Sequence, residues 1–166
     1  MKENSSFKGK YIASITRNGE VIDSWEVDNI VPNEGLNHIL DVAFSNGSPT
    51  TAFFVGLFKN NYTPVAGDTM ATFPATANES TTDFSQATRP AWVEAGAASQ
   101  SITNSASPAS FTFTAPSTVI QGAFLSTSSV KGGTSGLLMS AARFASSRTL
   151  LAGDTLNIVY TMNALG

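Results

Sequence analysis

An antiparallel β-sandwich with one short α-helix and one long loop is the fold this sequence predicts. About nine short strand-like runs are separated by turns rich in Gly, Pro, Asn and Ser. Only one stretch has helical periodicity. An Asn-Gly pair lies between the first two runs, where a hairpin would reverse. Strands at this spacing describe an antiparallel sandwich or barrel.

The elements follow in chain order. Tyr11 to Thr16 and Val21 to Val27 flank Arg17-Asn18-Gly19-Glu20 and form the hairpin. On its second strand Val21, Asp23, Trp25 and Val27 share one face, which places Trp25 in the core. Leu36, Ile39, Leu40, Ala43 and Phe44 then fall at helical spacing and predict a helix over about 33 to 45. Asn33 is the expected N-cap, Glu34 sits in the first turn, and Asn46-Gly47 supplies a left-handed residue to end the helix. Thr51 to Phe58 reads as a buried strand in which Gly56 leaves room for a bulge or close packing.

From Asn60 to Thr88 the chain loosens into Ala, Thr, Asn and Pro. So long a structureless stretch is uncommon inside a compact domain, which makes it either an arm ordered by a partner or a loop with hidden short strands. The arm is the expectation. Six further strands are predicted at Ala91 to Gly96, Gln100 to Thr103, Ser110 to Thr114, Val119 to Ser126, Gly136 to Arg143 and Leu156 to Met162. Trp25, Phe54, Phe58, Phe111, Phe113 and Phe124 are the expected core aromatics.

Composition narrows the function. The 166 residues suit one domain with a single core. Nine basic residues stand against twelve acidic ones, and the basic ones are scattered singly. Neither nucleic acid nor an anionic membrane is therefore an expected partner. Charged residues make up 13% of the chain, about half the usual share. Much of the surface must be Ser, Thr and Asn, which suits a protein that partners cover. There is no cysteine, hence no disulfide and no thiolate site. The polar opening Met1-Lys2-Glu3-Asn4-Ser5-Ser6 leads to no signal-like apolar run, and no run approaches about 18 apolar residues, so synthesis in the cytoplasm is expected.

The candidate chemistry is weak throughout. Ala66-Gly67-Asp68-Thr69 recurs at Ala152-Gly153-Asp154-Thr155. A calcium loop would need more acidic residues close by, whereas Asp beside Gly is enough for a tight bend, so one turn used twice is the reading. His38 is the only histidine and lies off the helix's apolar stripe, which leaves zinc no ligand set. The acids, among them Asp23, Glu26, Asp28, Asp83 and Glu94, are spread over turns and strand ends and suggest no glycosidase pair. Lys131 to Gly136 lacks the order of a phosphate loop and reads as a hairpin tip. Trp92, after Arg89-Pro90, anchors the loop into the core or serves an interface equally well. No catalytic residue, cofactor or metal is expected.

Asn29-Ile30-Val31-Pro32-Asn33-Glu34-Gly35-Leu36 before a short helix, Phe54-Val55-Gly56-Leu57-Phe58-Lys59-Asn60, Thr88-Arg89-Pro90-Ala91-Trp92, Gly122-Ala123-Phe124-Leu125 and the closing Ala-Gly-Asp-Thr-Leu strand form a set. Together, over roughly residues 20 to 163, they resemble small structural proteins of tailed-bacteriophage virions, of the head decoration (cement) or tail-associated kind. The resemblance implies a non-enzymatic β-sandwich, jelly-roll-like in topology, in the virion, a dimer or trimer that binds the major capsid protein lattice or tail proteins. The loop from Asn60 to Thr88 would then reach neighbouring subunits, with Tyr62, Pro64, Phe73, Phe84, Arg89 and Trp92 as partner-binding residues. Removal of residues 65 to 85 would leave the fold intact. Two other readings stand beside this one: a tail or fibre-base component, and a carbohydrate-binding module built on Trp25, Trp92, Tyr62 or Tyr160.

Overall fold

The computed structural model describes residues 6–165. Nine strands and two helices follow one another: β1 (Ser6–Arg17), β2 (Glu20–Asp28), α1 (Asn33–Phe44), β3 (Phe53–Phe58), α2 (Phe73–Thr76), β4 (Ala91–Trp92), β5 (Ser101–Thr103), β6 (Ala109–Thr112), β7 (Ser117–Ser126), β8 (Leu138–Leu151) and β9 (Thr155–Leu165). They form two antiparallel sheets. Sheet A has the order β2-β1-β9-β5, with β6 also paired to β9, and sheet B has the order β4-β3-β7-β8. The first strand thus lies beside the last in the middle of sheet A. The all-β sandwich with a short helix is as the sequence predicts.

The first hairpin turns at Asn18 and Gly19, with φ of 51° and 84°. Two successive positive φ values match the right-handed twist of the flanking strands, which is why Asn-Gly is favoured there. A register shift lies between Ile15 and Thr16, so Ile15 pairs with Asp23 but Thr16 pairs with Val21. The shift breaks the alternation expected on β2. Trp25 and Val27 still turn inward against the core, whereas Val21 is 65% exposed.

Tyr11, Ala13, Ile15, Leu156, Ile158 and Tyr160 from sheet A meet Val55, Leu57, Ile120, Ala123 and Leu125 from sheet B in the main core. A second, smaller core lies on the outer face of sheet B. Gly56 pairs with Phe124 and Gly122 pairs with Phe58, so each phenyl ring lies across the glycine of the neighbouring strand. A Cβ at Gly56 would collide with the Phe124 ring, and one at Gly122 with the Phe58 ring. The two glycines therefore hold both rings flat against the sheet.

The segment 60–88 covers those rings. Met70, Phe73 and Ala77 from it join Phe58, Phe124, Leu138 and Ala141. Phe73 stands edge-on to Phe58 at 5.6 Å and to Phe124 at 5.3 Å. The segment also pairs with the sheets at single residues, Glu79 with Phe58 and Phe84 with Phe113. It is a folded loop with one helical turn, not the expected arm. The reason is physical: Phe58 and Phe124 would otherwise leave two aromatic rings in water.

The N-cap of helix α1 lies one residue before the expected Asn33. Pro32 occupies the N-cap position and Asn33 makes no side-chain cap bond. The Asn33 N–H instead donates to the Ala66 carbonyl at 2.9 Å, so the folded loop supplies the acceptor. At the other end Asn46 takes the left-handed conformation, with φ of 57°.

Candidate binding surface

The repeated Ala-Gly-Asp-Thr is a tight bend in both copies, closed by the same hydrogen bonds, although its glycine is left-handed only at Gly153, with φ of 91°. In the first copy the Asp68 N–H donates to the Val65 carbonyl at 3.1 Å, and the Val65 N–H donates back to Asp68 Oδ2 at 2.8 Å. In the second copy Asp154 and Leu151 exchange the same pair of bonds, at 3.0 and 2.8 Å. The aspartates differ in their side-chain partners. Asp68 accepts from the Tyr62 hydroxyl at 2.7 Å, while Asp154 is gripped by Arg17 through Nε and Nη2 at 2.7 and 2.8 Å. The Arg17 bonds hold the Asp154 carboxyl below its ordinary range, and the bond to Asp68 raises the Tyr62 phenol.

Several other ionisable groups are also committed to the fold. Arg89 is fully buried and forms a two-bond pair with Glu79, both at 2.8 Å. Its remaining donors reach the carbonyls of Ser128 and Gly133, and Glu79 also accepts the Gly132 N–H at 2.9 Å. One ion pair thus fastens the folded loop, the approach to β4 and the hairpin tip to each other. Lys59 bonds Asp83 at 3.0 Å, with Ser80 at 2.7 Å; burial would raise the Asp83 carboxyl, but these bonds hold it below its ordinary range. Buried Tyr11 and Tyr160 are raised, the latter to about 12, chiefly by burial. Both remain neutral hydrogen-bonding groups, and Tyr11 meets Ser140 at 2.6 Å. Among the described residues no three His, Asp or Glu side chains cluster as metal ligands would, and no helix is long and apolar enough to cross a membrane.

The six expected partner-binding residues do not make a surface. Phe73 and Arg89 are fully buried, Phe84 and Trp92 nearly so, Pro64 is buried and Tyr62 half-buried. Phe84 faces Phe111 at 5.0 Å, and Trp92 donates from Nε1 to the Tyr160 carbonyl at 3.1 Å. Phe73 and Tyr62 hold the loop down on the outer face of sheet B, whereas Phe84 and Trp92 anchor its end in the main core between the sheets. Met70, Phe73 and Ala77, spaced by three and four, are the helical signal that would have revealed this. Deletion of residues 65–85 is accordingly not neutral.

Exposed aliphatic side chains are scattered over the surface, but the most exposed large apolar side chain among the described residues, Phe44, lies on α1. The helix leans on the start of β8 through Gly35, where a Cβ would sit 2.8 Å from the Met139 carbonyl oxygen. Glu34 fixes that contact by accepting the N–H groups of Met70 and Leu138 at 2.9 and 2.6 Å. Ile39 still packs on the main core. Towards the C-terminal end of the helix this cover is lost, leaving Leu40 51% and Phe44 84% exposed. Beside this ledge a hollow of about 310 Å³ is lined by His38, Ile39, Val42, Ala43, Pro49, Thr50, Phe53 and Met139. A narrower apolar cavity of about 170 Å³ shares Ile39, Phe53 and Met139 with it and extends to Trp92, Ile102 and Met162. His38 forms no ligand set; its Nε2 pairs with the Thr50 hydroxyl at 2.8 Å.

The five predicted apolar positions of the helix are thus split: Leu36 and Ile39 are half-buried, while Leu40, Ala43 and Phe44 face solvent. Periodicity finds the stripe but does not say where the sheet beneath it ends. No protein-family model matches the chain, and no curated protein matches it in sequence.

Proposed function

We propose that this protein is a structural component of a tailed-bacteriophage virion, a decoration (cement) protein that binds the assembled head lattice and stabilises it. The observation that carries the reading is the apolar ledge of Leu40, Ala43 and Phe44 on a body whose other large aromatic clusters are covered. Exposed apolar groups gathered beside a hollow favour a covering partner. The charged groups support it too: among the described residues five ion pairs link parts of the fold to each other, the Arg89–Glu79 pair buried, which suits a rigid adaptor. The sequence resemblance points the same way. Stabilisation follows from mass action, because a protein that binds only the assembled shell shifts the balance toward that shell.

Immunogold electron microscopy of intact particles tests the proposal. Gold spread over the heads is the expected result. Gold confined to one vertex or the tail would replace the head lattice with a tail role, and bare particles would overturn the virion assignment.

A further inference from the structure

We infer that the Leu40, Ala43 and Phe44 ledge is the lattice contact, and that it docks into an apolar recess rimmed by lysine or arginine on another protein, not onto a second copy of this chain. The inference rests on the function proposed above and adds the chemistry of the partner.

The first argument is area. A phenylalanine side chain contributes about 150–250 Å² when covered, and Phe44 is 84% exposed with Leu40 at 51%. The ledge therefore offers only a few hundred Å². Two ledges placed face to face would fall short of the roughly 1,200 Å² at which specific, stable interfaces begin. An aromatic knob seated in a recess is a different arrangement. A fully desolvated anchor of this kind can dominate binding, and a lattice repeats the contact over many sites.

The second argument is charge. Between Arg17 and Lys59 the chain has no lysine or arginine, but it has Glu20, Asp23, Glu26, Asp28, Glu34 and Asp41. Asp23 and Glu26 are paired with Arg148 and Lys10, and Glu34 is bonded to backbone N–H groups. Asp41, exposed on the same helix three residues before Phe44, enters none of the ion pairs of the described residues. The last turn of α1 has no basic residue to offset the negative end of the helix dipole. Both features ask for cations beside the phenylalanine. A second copy would instead bring another Asp41 and another negative helix end, and like charges juxtaposed across an interface oppose pairing.

The test uses the full chain and empty heads assembled without it. Co-sedimentation compares wild type, Phe44→Asp and Asp41→Lys over a salt series, and sedimentation velocity follows each free protein. Phe44→Asp should weaken head binding by about 30-fold or more, the loss of a hot-spot anchor. Asp41→Lys should weaken it several-fold at low salt and flatten the salt dependence. Thermal unfolding should shift only slightly, up in Asp41→Lys and down in Phe44→Asp, since both side chains face solvent and act on stability only through the helix dipole, and the oligomeric state of the free chain should not respond to Phe44→Asp. Wild type that binds heads together with Phe44→Asp that binds equally well would overturn the ledge while leaving the cement role standing. Wild type that binds no heads would overturn the cement role itself. A dimer that Phe44→Asp dissolves would make the second copy the occupant.

Discussion

The segment 60–88 and helix α1 both rest on the start of β8, yet Phe73 in the first is fully buried and Phe44 in the second is 84% exposed. What separates them is the surface each faces. Phe73 meets a patch of sheet B where Gly56 and Gly122 let two phenyl rings lie flat, so its edge finds a seat. Phe44 belongs to neither core cluster and faces solvent. Apolar character alone did not decide either fate; the shape of the opposing strand did.

The largest effect should come from cutting the loop. A chain lacking residues 65–85 loses Met70, Phe73 and Ala77 from the second core and uncovers Phe58 and Phe124. Each fully buried large side chain is worth about 1.5–3 kcal/mol, so the shortened chain should fail to unfold cooperatively by circular dichroism and should bind a hydrophobic dye. A sharp transition near that of the intact chain would break the comparison. Phe73→Ala is the milder version, with an expected loss of about 3–5 kcal/mol in urea unfolding.

Arg89→Ala should cost a similar amount, about 3–5 kcal/mol, because it leaves Glu79 buried without its cation. Arg89→Lys should recover only part of this, since an ammonium cannot reproduce the two-bond fork to Glu79. Full recovery by lysine in the same urea titration would show that the pair acts as a simple charge contact and not as a geometric pin.

Smaller effects separate the twin bends. Asp154 has a depressed folded-state pKa, so the stability it contributes is present above its ordinary value of 3.8 and is lost as the pH falls below that toward the folded value. Asp83, held low mainly against its own burial, acts in the same direction. Thermal unfolding followed from pH 6 to pH 2 should fall less steeply in Asp154→Asn than in wild type. An identical acid limb would remove Arg17 from the account. The smallest change in stability is expected at Phe44→Ala, within about 0.5 kcal/mol of wild type.

Much of this architecture is legible in the chain. Asn18-Gly19 specifies its hairpin because both residues accept positive φ. The bend at Asp68 and Asp154 follows from a short carboxylate beside glycine, although the Arg17 that grips the second copy is 137 residues away and no local pattern reveals it. Strand order is hidden for the same reason, since β1 lies against β9 at the other end of the sequence. The loop is misread as an arm because its signal, Met70, Phe73 and Ala77, is a single turn among small polar residues. It gains meaning only when Gly56 and Gly122 are known to share a face with Phe124 and Phe58. The ledge is half legible: the stripe is there, and its exposure depends on where β8 and the core stop.

The most direct measurement is hydrogen–deuterium exchange, on the free chain and on the chain bound to heads. The account predicts slow exchange across 57–90 in both states, because Lys59, Glu79 and Ser80 donate backbone bonds to Asn78, Pro74 and Leu57, with new protection on binding confined to α1 and the residues beside it. Fast exchange over 60–88 in the free chain that slows only on heads would contradict it, returning that segment to the role of an arm and leaving the α1 ledge without a function.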